Sequence, residues 1–346
     1  METETLFSKQ QSNIIKGGAI LLLLFHHLFY ENSRLIENGI YISFYDKLWH
    51  IDNMARICVW IFLFISGYGL TIKYNKNRDI KSYFISSWLA LMTQWWIIWI
   101  VKMIITQVFV ENIIVFYKYS TLYFFLDMFE WNDFFGMPVI LGNWYLCFAQ
   151  LVILLVPFID FAVKKFGILC VIVYYVMMQY MQNGIFSEGG GEYIIYIPVL
   201  ITAVWIAQKD NIKVFLKYPD TKIKQILEMI CLVVTIIVSL WMKWKYNIMY
   251  LGSIYAIIAT IGIVMFIVKY MKIFHKPLGY LGKHSAAMFL IHSYLYLEFP
   301  EIIFFHKNAI ISYVILVITS LLFAIGIEKI KKIIHYDNLH LLYKKI

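Results

Sequence analysis

The chain has 346 residues, of which 62% are hydrophobic, 18% aromatic and only 15% charged. A soluble domain averages about 45–50% apolar and about 25% charged residues, so this composition excludes a soluble fold and implies an all-α, polytopic membrane bundle. The formal charge of +9 does not point to nucleic acid, because the lysines fall in short gaps between apolar runs, where they set topology.

Ten spans are predicted in chain order, over roughly 14–30, 55–73, 84–110, 143–160, 166–183, 193–208, 226–242, 250–269, 284–300 and 310–329. Most lie near the ~20 residues that a bilayer requires. With the N-terminus inside, 22 of the 30 lysines and arginines fall on the inner side. That bias alternates loop by loop and predicts two cytoplasmic termini. The reading is one membrane domain over 1–346, with 331–346 as a cytoplasmic tail and no signal peptide or extra soluble domain. Cys58, Cys147, Cys170 and Cys231 have no metal or redox spacing, so buried thiols and no metal are expected. The 31–54 and 111–142 loops are the largest outside, and the second is rich in aromatic and acidic residues.

The first span carries Lys16 and, eleven residues on, His27. Eleven steps of about 100° put both on one face, roughly 16 Å apart along the axis. Ionisable groups are costly in hydrocarbon, so the pair predicts a protein-lined site that holds an anion at one end and handles a proton at the other. Taken singly, the lysine would be a snorkelling inner-end residue and the histidine a hydrogen-bonded interfacial one. Gly17 and Gly18 beside the lysine allow close backbone approach. His26 lies about 80° around the helix, facing a neighbour or a substrate.

Later spans add weaker signals. Phe64-Ile65-Ser66-Gly67-Tyr68-Gly69 closes the second, and Asn143-Trp144-Tyr145-Leu146 opens the fourth. Physically these suit small-residue packing and an aromatic belt. In the ninth, Ser285 and His292 are seven residues apart and share a face, with the histidine about 12 Å above the inner start of that helix. Lys283 and His284 would sit at a helix N-terminus suited to phosphate, with Ser285 equally readable as its cap.

Four segments in this order resemble one family, the membrane acyltransferases of the acyltransferase-3 type. Lys16 to His27 matches its arginine–ten residues–histidine signature, with lysine in the first place. Ile65-Ser66-Gly67-Tyr68 is similar to its second-helix motif, and Asn143-Trp144-Tyr145-Leu146 to its tryptophan–aromatic–leucine motif. Leu281-Gly282-Lys283-His284-Ser285 through Leu290-Ile291-His292 resembles its late motif. Where the family often carries an arginine cluster, this chain has Ser86 and Ser87, with Lys73, Lys76, Arg78 and Lys81 just upstream.

The resemblance implies transfer of an acetyl group from acetyl-CoA, without a metal, to a hydroxyl of an envelope saccharide or lipid-linked glycan, in a bacterial cytoplasmic membrane. It implies His27 as the catalytic histidine and Lys16 in the place of the motif arginine. His292 and Ser66 would assist at the thioester, and Lys73, Arg78, Lys81, Lys283 and Ser285 would hold the donor. His26, Tyr68, Asn143 and Trp144 would meet the acceptor. The alternative is a proton-coupled transporter or flippase for a glycan precursor or other substrate, since midplane histidines suit that too.

Overall fold

The computed structural model describes residues 7–42, 51–110, 121–135, 144–167, 169–181, 191–208, 217–245 and 249–334. All regular structure among the described residues is helical. The first helix, α1 (Lys9–Phe29), begins five residues before the predicted span because Ser8 builds a capping box. Its Oγ accepts from Gln11 N at 3.1 Å, and Gln11 Oε1 accepts from Ser8 N at 2.9 Å, so two otherwise orphaned donors are satisfied. A helical turn over 51–55 leads through Arg56 into α2 (Ile57–Asn77), together forming one apolar helical stretch, Ile51–Asn77. It ends where Arg78 takes a left-handed backbone (φ 55°). The next residue, Asp79, caps α3 (Ile80–Ile105) by accepting from Lys81 N and Ser82 N at 3.1 and 3.4 Å.

A short helix, α4 (Thr121–Phe129), lies in the predicted 111–142 outer loop. It is drawn against α3 by indoles: Trp95 and Trp96 each donate to Met128 O at 3.1 Å, and Trp99 donates to Asp127 Oδ2 at 2.9 Å. Gln150 of α5 (Trp144–Phe166) accepts from Trp88 Nε1 and donates to Phe129 O, both at 2.9 Å. A loop segment this rich in polar backbone enters the bundle only because side chains from two helices satisfy it.

The remaining long helices are α6 (Leu169–Met181), α7 (Ile197–Gln208), α8 (Lys222–Lys245), α9 (Met249–Tyr270), α10 (His275–Glu298) and α11 (Ala309–Ile333). Among the described residues seven helices are long and apolar enough to cross a membrane, against the ten predicted. The shortfall has two physical causes. As described, α6 and α7 run for only 13 and 12 residues, below the ~20 of a straight crossing. At 24 residues α10 is long enough, but His275, Lys276, Lys283, His284 and His292 dilute its apolar character.

Central to the bundle is α1, which packs against α2, α9, α10 and α11. Its tightest neighbour is α10, and glycine is the reason. A Cβ on Gly17 would overlap the Leu278 carbonyl, and one on Gly282 would overlap the Asn13 carbonyl and lie 2.9 Å from Gly17 N. The two backbones touch there, as small-residue crossings allow, and from that contact both helices run together toward His27 and His292. By contrast, α8 packs on α9 and turns Ile223, Ile230, Val234 and Ile237 outward, as a lipid-facing helix does.

Candidate active site

Five helices enclose a cavity of about 480 Å³, within the ~300–1,000 Å³ usual for small-molecule sites. At one end lie Lys16 of α1, Lys73 of α2, Ser87 of α3 and Ser285 of α10. Toward the other end lie Tyr145 of α5, which meets Ser66 of α2, and Phe289 of α10. No carboxylate among the described residues pairs with Lys16. Lys73 Nζ donates to Ser87 Oγ at 2.8 Å, which aims the exposed lysine at the cavity mouth. Ser87 thus becomes the orienting partner of a neighbouring cation. Ser86 instead donates to Tyr83 O at 3.2 Å within its own helix.

Beyond Phe289 sits a stack of imidazoles. The Phe289 ring lies 5.2 Å from Tyr145 and 5.8 Å from His292, and His292 lies 4.8 Å from His27. His292 is fully buried, with Nδ1 2.6 Å from the Phe289 carbonyl oxygen. A carbonyl only accepts, so Nδ1 carries the hydrogen and Nε2 of the neutral ring presents a lone pair. Such a ring can accept from a neighbouring N–H but cannot donate to an oxyanion through Nε2, which has no hydrogen-bond partner among the described residues. On its other side His27 meets the His26 ring at 5.1 Å, and its carbonyl accepts from Arg34 Nη1 at 3.1 Å. The Arg34 guanidinium also lies 4.5 Å over the Tyr296 ring, closing this end of the stack.

The predicted site residues therefore separate. Lys16, Ser66, Lys73 and Ser285 line one cavity, while His27 and His292 pair just beyond its aromatic end. Arg78, Lys81 and Lys283 are exposed and outside the lining. Tyr68 is buried in packing: its hydroxyl accepts from Phe7 N at 3.3 Å and its ring lies 5.2 Å from Phe7. Trp144 stacks on Tyr193 and Tyr196, about 6 Å away. Asn143 lies outside the described residues. The expected helix start near 284 is corrected to His275, so Ser285 is no cap but sits in mid-helix, donating to Gly282 O at 2.9 Å. His292 then stands about 25 Å from the start of α10 rather than 12 Å.

Sequence reasoning missed Asp52, Ser87, Tyr145 and Phe289. Asp52 had a usable signal: an acid just before the predicted second span, at the same end as His27 if the two helices are antiparallel neighbours.

No curated protein and no solved structure matches the chain. A family model described as an acyltransferase domain matches residues 10–329, a stretch that includes the cavity, the imidazole stack and every helix that forms them. An integral membrane helical bundle with this site thus belongs to the acyltransferase-3 family of membrane acyltransferases.

Proposed function

We propose that the protein moves an acetyl group from cytosolic acetyl-CoA to a hydroxyl of an envelope polysaccharide or lipid-linked glycan. The observation that carries this reading is the polarity of the cavity: cations at one end, a histidine pair just past the other. The donor's phosphates lie at Lys73 and Lys16, on the side of the bundle that lysine placement assigns to the cytoplasm. Its thin arm passes Ser66 and brings the thioester to Tyr145 and Phe289. His27 then takes the acceptor's hydroxyl proton as the acceptor oxygen bonds to the acetyl carbon and the C–S bond breaks. The proton passes on to the departing thiolate, leaving His27 neutral. His292, its Nδ1–H held by the Phe289 carbonyl, fixes the His27 ring.

Cells with and without the gene should differ in ester-linked acetate on their surface glycans. Purified protein should release CoA from acetyl-CoA when given that glycan. Equal acetate in both cells and no CoA release, with substrate counterflow in vesicles instead, would move the reading to a transporter.

Lys16→Gln is expected to raise KM for acetyl-CoA about tenfold to a hundredfold. That is the loss of one charge-assisted hydrogen bond worth roughly 1.5–3 kcal/mol. Lys16→Arg, which keeps the charge, should stay within a few-fold of wild type. Initial rates against donor concentration decide it, and an unchanged KM in Lys16→Gln would remove Lys16 from the donor site.

A further inference from the structure

The third histidine, His26, is buried, and its Nδ1 lies 3.1 Å from Oδ1 of Asp52, a carboxylate with no exposed surface. Nothing in the mechanism so far uses that pair. A buried carboxylate is costly unless it serves a partner, and here the partner is an imidazole whose ring packs 5.1 Å from His27. Asp52 sits in the first helical turn of the Ile51–Asn77 span, so that span delivers it to the end of α1 where chemistry is proposed.

The charges around the stack say what the carboxylate is for. Arg34, from the short helix Asn32–Glu37, and Arg56, at the start of α2, both act electrostatically on His27, as do His26 and His292. Lys243 of α8 acts on Arg56. Tyr30 and Tyr296 flank the rings. Arg34 is itself paired with Glu31, and among the described residues Asp52 is the carboxylate that contacts one of the imidazoles. When His27 takes a proton, the new imidazolium lies among cations, and an anion close by is required to offset them.

We infer that Asp52 is a positioning residue acting through His26, holding that ring against His27 and supplying the negative charge that offsets a proton on it. An ionised carboxylate only accepts, so it fixes the hydrogen of His26 on Nδ1 and turns the lone pair of Nε2 away from itself. The same logic makes a buried aspartate orient the base and stabilise its protonated form in other acyl-transfer sites. This inference rests on the acyltransferase reading above and deepens it.

The test uses the full-length protein in membranes from producing cells, with acetyl-labelled CoA, scoring label in ester-linked acetate. Asp52→Asn is expected to lower kcat about tenfold to a hundredfold while KM for acetyl-CoA stays within about twofold. Asp52→Glu should recover part of kcat. His26→Gln should match Asp52→Asn, and the double variant should be no worse than either single one, because the two act as a unit. Thermal unfolding of each variant shows which are folded; should Asp52→Asn not fold, His26→Gln and Asp52→Glu carry the comparison.

Wild-type kcat in folded Asp52→Asn or His26→Gln, kinetic losses that add in the double variant, or a change confined to KM would overturn the inference and leave the acyltransferase reading standing. Absence of label transfer by the wild-type protein would overturn that reading, and the inference with it.

Discussion

His27→Ala is expected to lower acyl transfer about a hundredfold to ten-thousandfold, the usual contribution of a positioned proton acceptor. Three features of the structure place the loss on chemistry rather than on folding. The ring lies at the end of α1, beyond the Gly17 contact that docks the helix, so truncation leaves the crossing intact. Among the described residues its ring neighbours are two other imidazoles, at 4.8 and 5.1 Å. And it lies outside the residues that line the donor cavity, so acetyl-CoA should bind with wild-type affinity. Rate and binding must therefore part company in this variant. They are measured by label transfer on one hand and by titration of the purified protein with acetyl-CoA on the other. A variant that inserts normally and still acetylates its glycan would remove His27 from the mechanism.

Gly282→Val should be the most damaging substitution away from the histidines. A Cβ there meets the Asn13 carbonyl and the Gly17 amide, both main-chain groups inside α1 that cannot swing aside. Overpacking a core by ordinary side-chain contact costs about 1–3 kcal/mol; here relief requires the two helices to separate. Separation would pull His292 from His27 and open the cavity between Lys16 and Ser285, so stability and transfer should fall together. Gly326→Ala is the matched control, since nothing lies within 4 Å of a Cβ at that position of α11. There the gain in helix propensity, up to about 1 kcal/mol, should leave Tm unchanged or raise it. An unaltered Tm in Gly282→Val would mean that α1 and α10 do not cross in backbone contact.

Much of this could be read before any coordinates. The shared face of Lys16 and His27 follows from helical arithmetic, and the structure sets one at the cavity and the other past its far end. Ser66 and Ser285 both line that cavity, Ser285 from mid-helix rather than from the expected helix start.

What was not legible depends on tertiary contact. The stretch from His275 to His284 is too polar to read as a span, yet it is helical because Gly282 lets α10 lie directly on α1. The composition of the 111–142 segment does not decide between lying at the interface and folding back into the bundle; α4 within it is fixed by indole donors from α3. Asp52 and Ser87 matter only through partners 26 and 14 residues away, separations that no local pattern reports. Among the described residues the ten spans are not all found, because α6 and α7 as described are too short for one crossing and α10 is diluted by polar residues.

A structure of the protein with a non-hydrolysable acetyl-CoA analogue tests the central claim most directly. The account predicts phosphates against Lys73 and Lys16, the arm beside Ser66, and the acyl carbon at the Tyr145–Phe289 end facing His27. An analogue seated outside the cavity, or lying in it with its acyl group toward Lys73, would contradict the account.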